Sequence, residues 1–232
     1  MSPAGAEHEP AVQPPTFRTL LPLLTSPQTL FHALTYLCSF GTELAVNSVL
    51  AAYYLSRFSD SLTPTSAANH AAVFGFLNFV TRPLGGAVAD LVYKYSGGGE
   101  IKEGRGLWWK KGWVVVCGVI SGVVLIVLGV RDGQSKMEEV FGLVAVAAVF
   151  VEAGNGANFS LVPHVHPQAN GVVSGVTGAG GNLGGVVFAV VMRFMDGGTG
   201  YGKGFWVIGV VNVLVCLAVS WVPPLPRGQR GG

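Results

Sequence analysis

The stretch SGVTGAGGNLGG, residues 174–185, places six glycines and one asparagine within twelve residues. It lies in an apolar run that carries no charged residue between Asn170 and Arg193. Glycine destabilises an isolated helix by roughly 1 kcal/mol relative to alanine. In a bilayer, unwinding would expose backbone polar groups to hydrocarbon, so a helix remains the favoured structure. The stretch therefore predicts a membrane helix that approaches another helix closely.

The composition of the whole chain also indicates a membrane protein. Of the 232 residues, 50% are hydrophobic and 11% are charged, and the mean hydropathy is +0.51. Soluble domains carry about 25% charged residues, so this chain lacks the polar surface that water would require on every side. The net charge of +2 is too small to argue for nucleic acid binding. The three cysteines lie in apolar segments without metal-ligand spacing, so we expect packing roles and no metal site.

The motifs of common enzyme classes do not occur in the sequence. The stretch GAGGNLGG has Leu183 at the position where a dinucleotide-binding loop needs its third glycine. Neither G-x-S-x-G nor H-E-x-x-H is present, so the hydrolase and zinc-protease signatures are absent. We therefore expect a protein that is not an enzyme and that binds no cofactor.

Runs of about 20 mainly apolar residues divide the chain into six predicted membrane spans. These spans are residues 30–58, 70–95, 111–130, 138–162, 169–194 and 203–222. The predicted fold class is an all-α integral membrane protein with a six-helix transmembrane domain at residues 30–222. Residues 1–29 hold six prolines and are predicted to be a disordered lead-in with a short amphipathic turn at Phe17–Leu24. Residues 223–232 are predicted to be a cytoplasmic tail.

The distribution of lysine and arginine predicts the orientation of these spans. With an even number of spans, both termini lie on the same side as the loop between the second and third spans. That side carries eight basic residues: Arg18, Lys94, Lys102, Arg105, Lys110, Lys111, Arg227 and Arg230. The opposite side carries five: Arg57, Arg131, Lys136, Arg193 and Lys203. Basic residues are in excess on the cytoplasmic side of membrane proteins, so we expect both termini in the cytoplasm.

Polar side chains inside a bilayer are costly, and this makes them candidates for functional sites. Seven of them lie near the midpoints of four predicted spans: Glu43, Asn47, Asn78, Arg82, Glu152, Asn155 and Asn182. With a helical rise of about 1.5 Å per residue, these residues reach one depth in the membrane. Arg82 is interpreted either as a ligand-binding residue or as a buried ion-pair partner of Glu43 or Glu152. In both cases it would line a cavity.

The glycines of the fifth predicted span are spaced for helix packing. Small residues four positions apart allow two helix backbones to approach closely in lipid. We predict this packing role for Gly178, Gly180, Gly184 and Gly185. Close approach would bring the amide of Asn182 towards a neighbouring helix or a ligand.

Three stretches resemble the C-terminal half of a nitrate/nitrite porter of the fungal type, within the major facilitator superfamily. They are GAGGNLGG at 178–185, GNGANFSLVPHVHPQANGVVSGVTG at 154–178 and NFVTRPLGGAVAD at 78–90. The resemblance extends over about residues 31–221, and its glycine-asparagine signature is specific. GGAVADLVYKY also resembles the cytoplasmic loop motif of the superfamily, with Asp90 in the acidic position.

The resemblance implies a fold of two six-helix halves, with nitrate held between them by one arginine from each half. The arginine of the second half matches Arg82, and the signature asparagine matches Asn182. We expect a substrate-binding site formed by Arg82, Asn182, Asn78 and Gly181. The implied function is proton-coupled uptake of nitrate or nitrite across the plasma membrane for nitrate assimilation. The proton carrier stays open between Glu43, Glu152 and His70.

The chain departs from the family pattern in its number of spans. It has six predicted spans where the family has twelve, and Met1 stands where the family has its central linker. We expect a half-length chain, which is a fragment, a split transporter or a relic of one. Its partners would be lipid, the anion, a proton, and either the missing N-terminal half or a second copy. The alternative function is a non-transporting membrane interaction module.

Overall fold

The computed structural model describes residues 17–96, 103–226 and 229, and within these ranges the chain is almost entirely helical. The helices are α1 (Phe17–Leu24), α2 (Pro27–Arg57), α3 (Pro64–Tyr95), α4 (Glu103–Val130), α5 (Met137–Leu161), α6 (Asn170–Phe194) and α7 (Tyr201–Val219). Short 3₁₀ turns lie at Val162–His164, Pro167–Ala169 and Met195–Gly198. The first 16 residues of the predicted lead-in lie outside the described residues.

The first two long helices begin earlier than the hydropathy pattern predicts. Ser26 caps α2, and its hydroxyl accepts a hydrogen bond from the backbone N–H of Thr29 at 3.2 Å. Thr63 and Ser66 form a reciprocal capping box at the start of α3. In both helices a proline occupies the first helical turn, where its missing N–H costs nothing. Each cap satisfies one of the free N–H groups in the first turn of its helix, and these polar first turns lie outside an apolar window.

Five helices, α3 to α7, are long and apolar enough to cross a membrane. The 31-residue helix α2 is long enough, but its composition does not reach the same hydropathy. The prediction of six apolar spans is therefore confirmed only in part. The reason is that α2 lies between α3, α5, α6 and α7, and the polar residues of its first half are enclosed by protein, whereas Asn47 and Ser48 are exposed. The buried polar residues of α2 are Gln28, Thr29, His32, Thr35, Ser39, Thr42 and Glu43.

Three helix pairs make the closest contacts, namely α2 with α6, α3 with α5, and α4 with α7. Glycine lies at the contact point of each pair. A Cβ atom on Gly184 would overlap the backbone of Leu37, and one on Gly85 would overlap the backbone of Ala153. A Cβ atom on Gly122 would lie 2.7 Å from the carbonyl oxygen of Gly209. Close backbone approach is thus the common packing device of the bundle.

The start of α2 and the segment after α7 lie at the same end of the bundle. Gln28 Nε2 donates hydrogen bonds to the carbonyl oxygens of Pro223 at 3.3 Å and Leu225 at 3.1 Å.

Asp90, the acidic residue of the predicted loop motif, accepts from Lys110 Nζ at 2.6 Å. This ion pair joins the end of α3 to the start of α4.

Candidate functional site

A cluster of polar side chains joins α2, α3 and α5 in the interior of the bundle. Asn78 Nδ2 donates to Glu43 Oε1 at 2.6 Å, and Asn155 Nδ2 donates to Glu43 Oε2 at 2.8 Å. The same Asn155 nitrogen lies 3.3 Å from Glu152 Oε2. Four residues predicted to share one depth, Glu43, Asn78, Glu152 and Asn155, are therefore in direct contact.

Arg82 lies beside this cluster and is held by aromatic residues. Its Nη2 atom donates a hydrogen bond to the phenol oxygen of Tyr36. Its guanidinium carbon lies 5.5 Å from the centroid of the Phe40 ring, within the range of a cation–π contact. In the described part of the chain, no carboxylate oxygen lies within 4.0 Å of the Arg82 nitrogens. The predicted ion pair with Glu43 or Glu152 is therefore not formed, because a neutral phenol takes that place.

The guanidinium and the two asparagines border an open cavity of about 560 Å³. Its lining residues are Asn78, Phe79, Arg82, Pro83, Gly86, Asn155, Gly156, Phe159 and Ser160, all from α3 and α5. Phe79 stands at the outer edge with 80% of its surface exposed. Pro83 has no backbone N–H, so the carbonyl of Phe79 lacks its usual helical donor. The cavity therefore combines a cation, amide donors and a loosened helix turn.

The structure separates the other predicted binding residues from this cavity. Asn182 is exposed on α6, and its side-chain nitrogen donates to the Gly178 carbonyl of its own helix at 3.1 Å. Gly181 is buried, and a Cβ atom there would lie 2.8 Å from a ring carbon of Phe40. Gly181 thus supports the aromatic residues around Arg82 and does not line the cavity. The predicted direct binding roles of Asn182 and Gly181 are not seen.

Three of the four glycines predicted to pack against a helix lie against α2, and the fourth does not. Cβ atoms on Gly180, Gly184 and Gly185 would each meet α2 at less than normal contact distance. A Cβ atom on Gly178 would meet nothing within 4 Å, so Gly178 takes no part in this contact. Gly178 therefore packs against no other described helix of this chain, and its predicted packing role stays a prediction.

Sequence reasoning missed the aromatic residues around the guanidinium. Tyr36 and Phe40 stack with ring centroids 5.0 Å apart, and Phe159 meets Tyr36 edge-on, also at 5.0 Å. A signal was present, since Tyr36, Phe40 and Glu43 follow the i, i+4, i+7 spacing of one helix face. Such spacing is also typical of ordinary core residues, so it did not single them out.

His70 lies apart from the cluster. It is exposed near the start of α3, and its ring stacks on Phe141 with centroids 4.5 Å apart. Twelve residues separate it from Arg82, which corresponds to about 18 Å along the helix. Of the three proton-carrier candidates, Glu43 and Glu152 are the two that lie near the guanidinium.

The helices and this site define a multi-pass membrane protein, and comparison with known proteins narrows the class. Elsinochrome transporter 1 of Elsinoe fawcettii is 40% identical over 226 residues, which are 97% of this chain and 42% of the relative. Nitrate transporter 2.1 of Chlamydomonas reinhardtii is 36% identical over 155 residues, 67% of this chain and 26% of the relative. Nitrate/nitrite transporter NrtP of Nostoc punctiforme is 29% identical over 195 residues, 84% of this chain and 35% of the relative. No family model matches the chain, and no solved structure matches it.

These relatives are named as transporters, and the chain spans less than half the length of each of them. The chain is a homologue of the nitrate and nitrite transporters, which confirms the family resemblance predicted from its sequence.

Proposed function

We propose that the chain forms the C-terminal half of a proton-coupled transporter of nitrate or nitrite, which serves nitrate assimilation. The observation that carries this proposal is the guanidinium of Arg82. It is half-buried at the wall of an open cavity, and its hydrogen-bond partner is a neutral phenol. Its charge is therefore available to an anion. The names of the Chlamydomonas and Nostoc relatives support nitrate and nitrite as that anion.

The chemistry of the cavity suits a small planar oxyanion. A guanidinium is flat and permanently charged, and it can donate two parallel hydrogen bonds to two oxygens of one ligand. Asn78 lies on the same cavity wall, and its amide keeps one N–H beyond the hydrogen bond to Glu43. The exposed ring of Phe79 gives the outer edge an apolar surface. A second cation from the remaining part of the transporter would complete the site from the open side.

In this proposal α2 is the sixth span. The polar residues of its first half are buried against other helices of the bundle, so on that half lipid meets apolar residues such as Leu30 and Leu34. The end of the bundle that carries Gln28 and the C-terminal segment would face the cytoplasm. Lys110 and Lys111 lie at this end, in agreement with the excess of basic residues on the cytoplasmic side. We place the protein in the plasma membrane, as the resemblance implies.

A second candidate cargo is elsinochrome. The observation in its favour is the Elsinoe relative, which matches nearly the whole chain and is named for that compound. The non-transporting interaction module is a third outcome, since the open face of α3 could bind another membrane protein instead of a cargo.

Two chimeras distinguish these functions. In one, the chain replaces its matching segment in the Chlamydomonas nitrate transporter, and in the other it replaces that of the Elsinoe protein. Uptake of isotope-labelled nitrate is measured in a host without its own nitrate transport, and elsinochrome transport is measured in parallel. We expect the first chimera to carry nitrate, Arg82→Ala to abolish uptake, and the exposed-site control Arg131→Ala to retain it.

Other results would overturn the proposal in defined ways. Transport of elsinochrome alone would favour the second candidate. If both chimeras reach the membrane and neither transports, the interaction module becomes the better reading. Nitrate uptake that survives Arg82→Ala would remove the guanidinium from the site.

A further inference from the structure

Two carboxylates lie in the interior of the bundle with unequal hydrogen bonding. Glu43 has 7% of its surface exposed and accepts from two amide groups, Asn78 and Asn155. Glu152 is fully buried, and its Oε2 shares the Asn155 nitrogen with Glu43 at the longer distance of 3.3 Å. Its Oε1 atom is buried without a hydrogen-bond partner, as is Asn155 Oδ1. The site therefore supports a charge on Glu43 better than one on Glu152.

The surrounding helices determine how much charge the pair can carry. From α3 the pair is faced by Arg82, and from α2 by the phenol of Tyr36, which takes up a hydrogen bond of that arginine. At the same level α4 presents the thiol residue Cys117 against Gly154. α7 presents the uncharged Asn212, whose amide donates to Thr42 Oγ1 at 2.9 Å. α6 presents glycines to α2 at this level.

The charge of the cluster can be counted from these groups. Two ionised carboxylates and one guanidinium give a net charge of −1, and both carboxylates are buried. A buried carboxylate without compensation is strongly disfavoured, and two neighbouring carboxylates do not both ionise readily. One proton on Glu152 Oε1 gives the two glutamates and Arg82 a net charge of zero. It also removes the negative charge from an oxygen that has no hydrogen-bond donor. An anion bound at Arg82 would restore the net charge of −1.

We propose that Glu43 and Glu152 form a shared proton site that holds one proton at rest and takes up a second proton when an anion binds beside Arg82. The first proton sits on Glu152, and the second, drawn from water, protonates the remaining carboxylate of Glu43. The inference rests on the proposed function for its anion, whereas the resting proton follows from the pair alone. It selects these glutamates over His70 as the groups that couple proton and anion binding.

Infrared spectroscopy of the chain in lipid bilayers tests this directly. A protonated carboxylic acid gives a carbonyl-stretch band that shifts in D₂O, and a carboxylate does not. At neutral pH the wild-type chain should show this band with the intensity of one buried carboxylic acid. Both Glu152→Gln and Glu43→Gln should abolish it, because a single glutamate beside Arg82 is compensated and ionises. The control Glu138→Gln, at an exposed position on α5, should leave the band unchanged.

Nitrate is then added to the Chlamydomonas chimera, which supplies the remaining part of the site. It should roughly double the part of the band that Glu152→Gln removes, and calorimetry on the same sample measures nitrate binding. Absence of the band at rest overturns the shared proton, whatever nitrate does. A band that persists in Glu43→Gln also overturns it, since Glu152 would then be protonated by burial alone. If nitrate binds without changing the band, the coupling is wrong. If the resting band is present and nitrate does not bind, the resting proton stands and the proposed anion function fails.

Discussion

Glycines let the backbones approach closely in both the α2–α6 contact and the α3–α5 contact, but only the α3–α5 pair lines the cavity. In the first, Gly180, Gly184 and Gly185 meet α2 along a line of small and apolar residues. In the second, a Cβ atom on Gly156 would overlap the carbonyl of Arg82, whose side chain borders the cavity. The glycine-rich motif therefore positions α2, whereas the cavity and its lining residues lie on the α3–α5 pair.

The two contacts are joined through α2. Gly181 on α6 lies against Tyr36 and Phe40, and these two side chains hold the guanidinium of Arg82. The glycine motif thus contacts the residues that hold Arg82 without itself lining the cavity. Substitutions in each contact should separate loss of folding from loss of affinity.

The largest effect is expected for Gly184→Leu. The new side chain would overlap the backbone of Leu37, which cannot move without separating α2 from α6. Overpacking typically costs about 1–3 kcal/mol, and a clash with backbone lies at or above the upper end of that range. We expect the yield of folded protein, measured by size-exclusion chromatography in detergent, to fall to a small fraction of wild type. Gly178→Leu is the matched control on the same helix, with open space around it. Equal losses in both variants would mean that leucine harms α6 in general and that the contact with α2 is not decisive.

A smaller effect, on affinity and not on folding, is expected for Arg82→Lys in the Chlamydomonas chimera. Lysine keeps the charge but loses the paired donors, and a charge-assisted hydrogen bond contributes roughly 1.5–3 kcal/mol. The half-saturation concentration for nitrate should rise by about tenfold to a hundredfold. Arg131→Lys, at an exposed site, should leave it unchanged. Near-normal affinity in Arg82→Lys would show that the charge alone matters and that the two-pronged geometry does not.

The smallest effect is expected for Tyr36→Phe, at the junction of the two contacts. The phenylalanine ring keeps the packing against Gly181 but removes the oxygen that accepts from Arg82. The lost bond positions the guanidinium but does not itself reach the anion, so nitrate affinity in the chimera should fall by roughly twofold to tenfold, less than in Arg82→Lys. Tyr95→Phe serves as the control because Tyr95 is 80% exposed. A loss as large as that of Arg82→Lys would mean that the phenol itself contacts the anion.

The sequence predicted the depth of the polar residues in the membrane. It did not always predict which face of a helix is buried. Depth follows from the rise per residue, and it placed Glu43, Asn78, Glu152 and Asn155 in one layer. Asn182 reaches a similar depth along α6, yet it points away from α2 because Gly181, Gly184 and Gly185 occupy the buried face. Which face is buried depends on the partner helix, and a single sequence does not name that partner.

The polarity of α2 was harder to interpret from sequence for a related reason. A hydropathy window averages over all faces of a helix, whereas α2 buries its polar face in the bundle. The partner of Arg82 could not be predicted from the sequence either. Charge complementarity favoured a glutamate, but the side chain that lies within reach is the phenol of Tyr36.

Pro83 gives α3 a mechanical property that its neighbours lack. The missing N–H leaves one turn of a 32-residue helix without its full set of backbone bonds, directly beside Arg82. Bending stiffness is lowest at such a turn, so a load on the helix is taken up there. The close backbone contact between Gly85 and Ala153 lies two residues after Pro83, so it holds α3 against α5 next to this turn. If the proposed function holds, the turn of α3 that bends most easily lies beside the residue proposed to bind the anion.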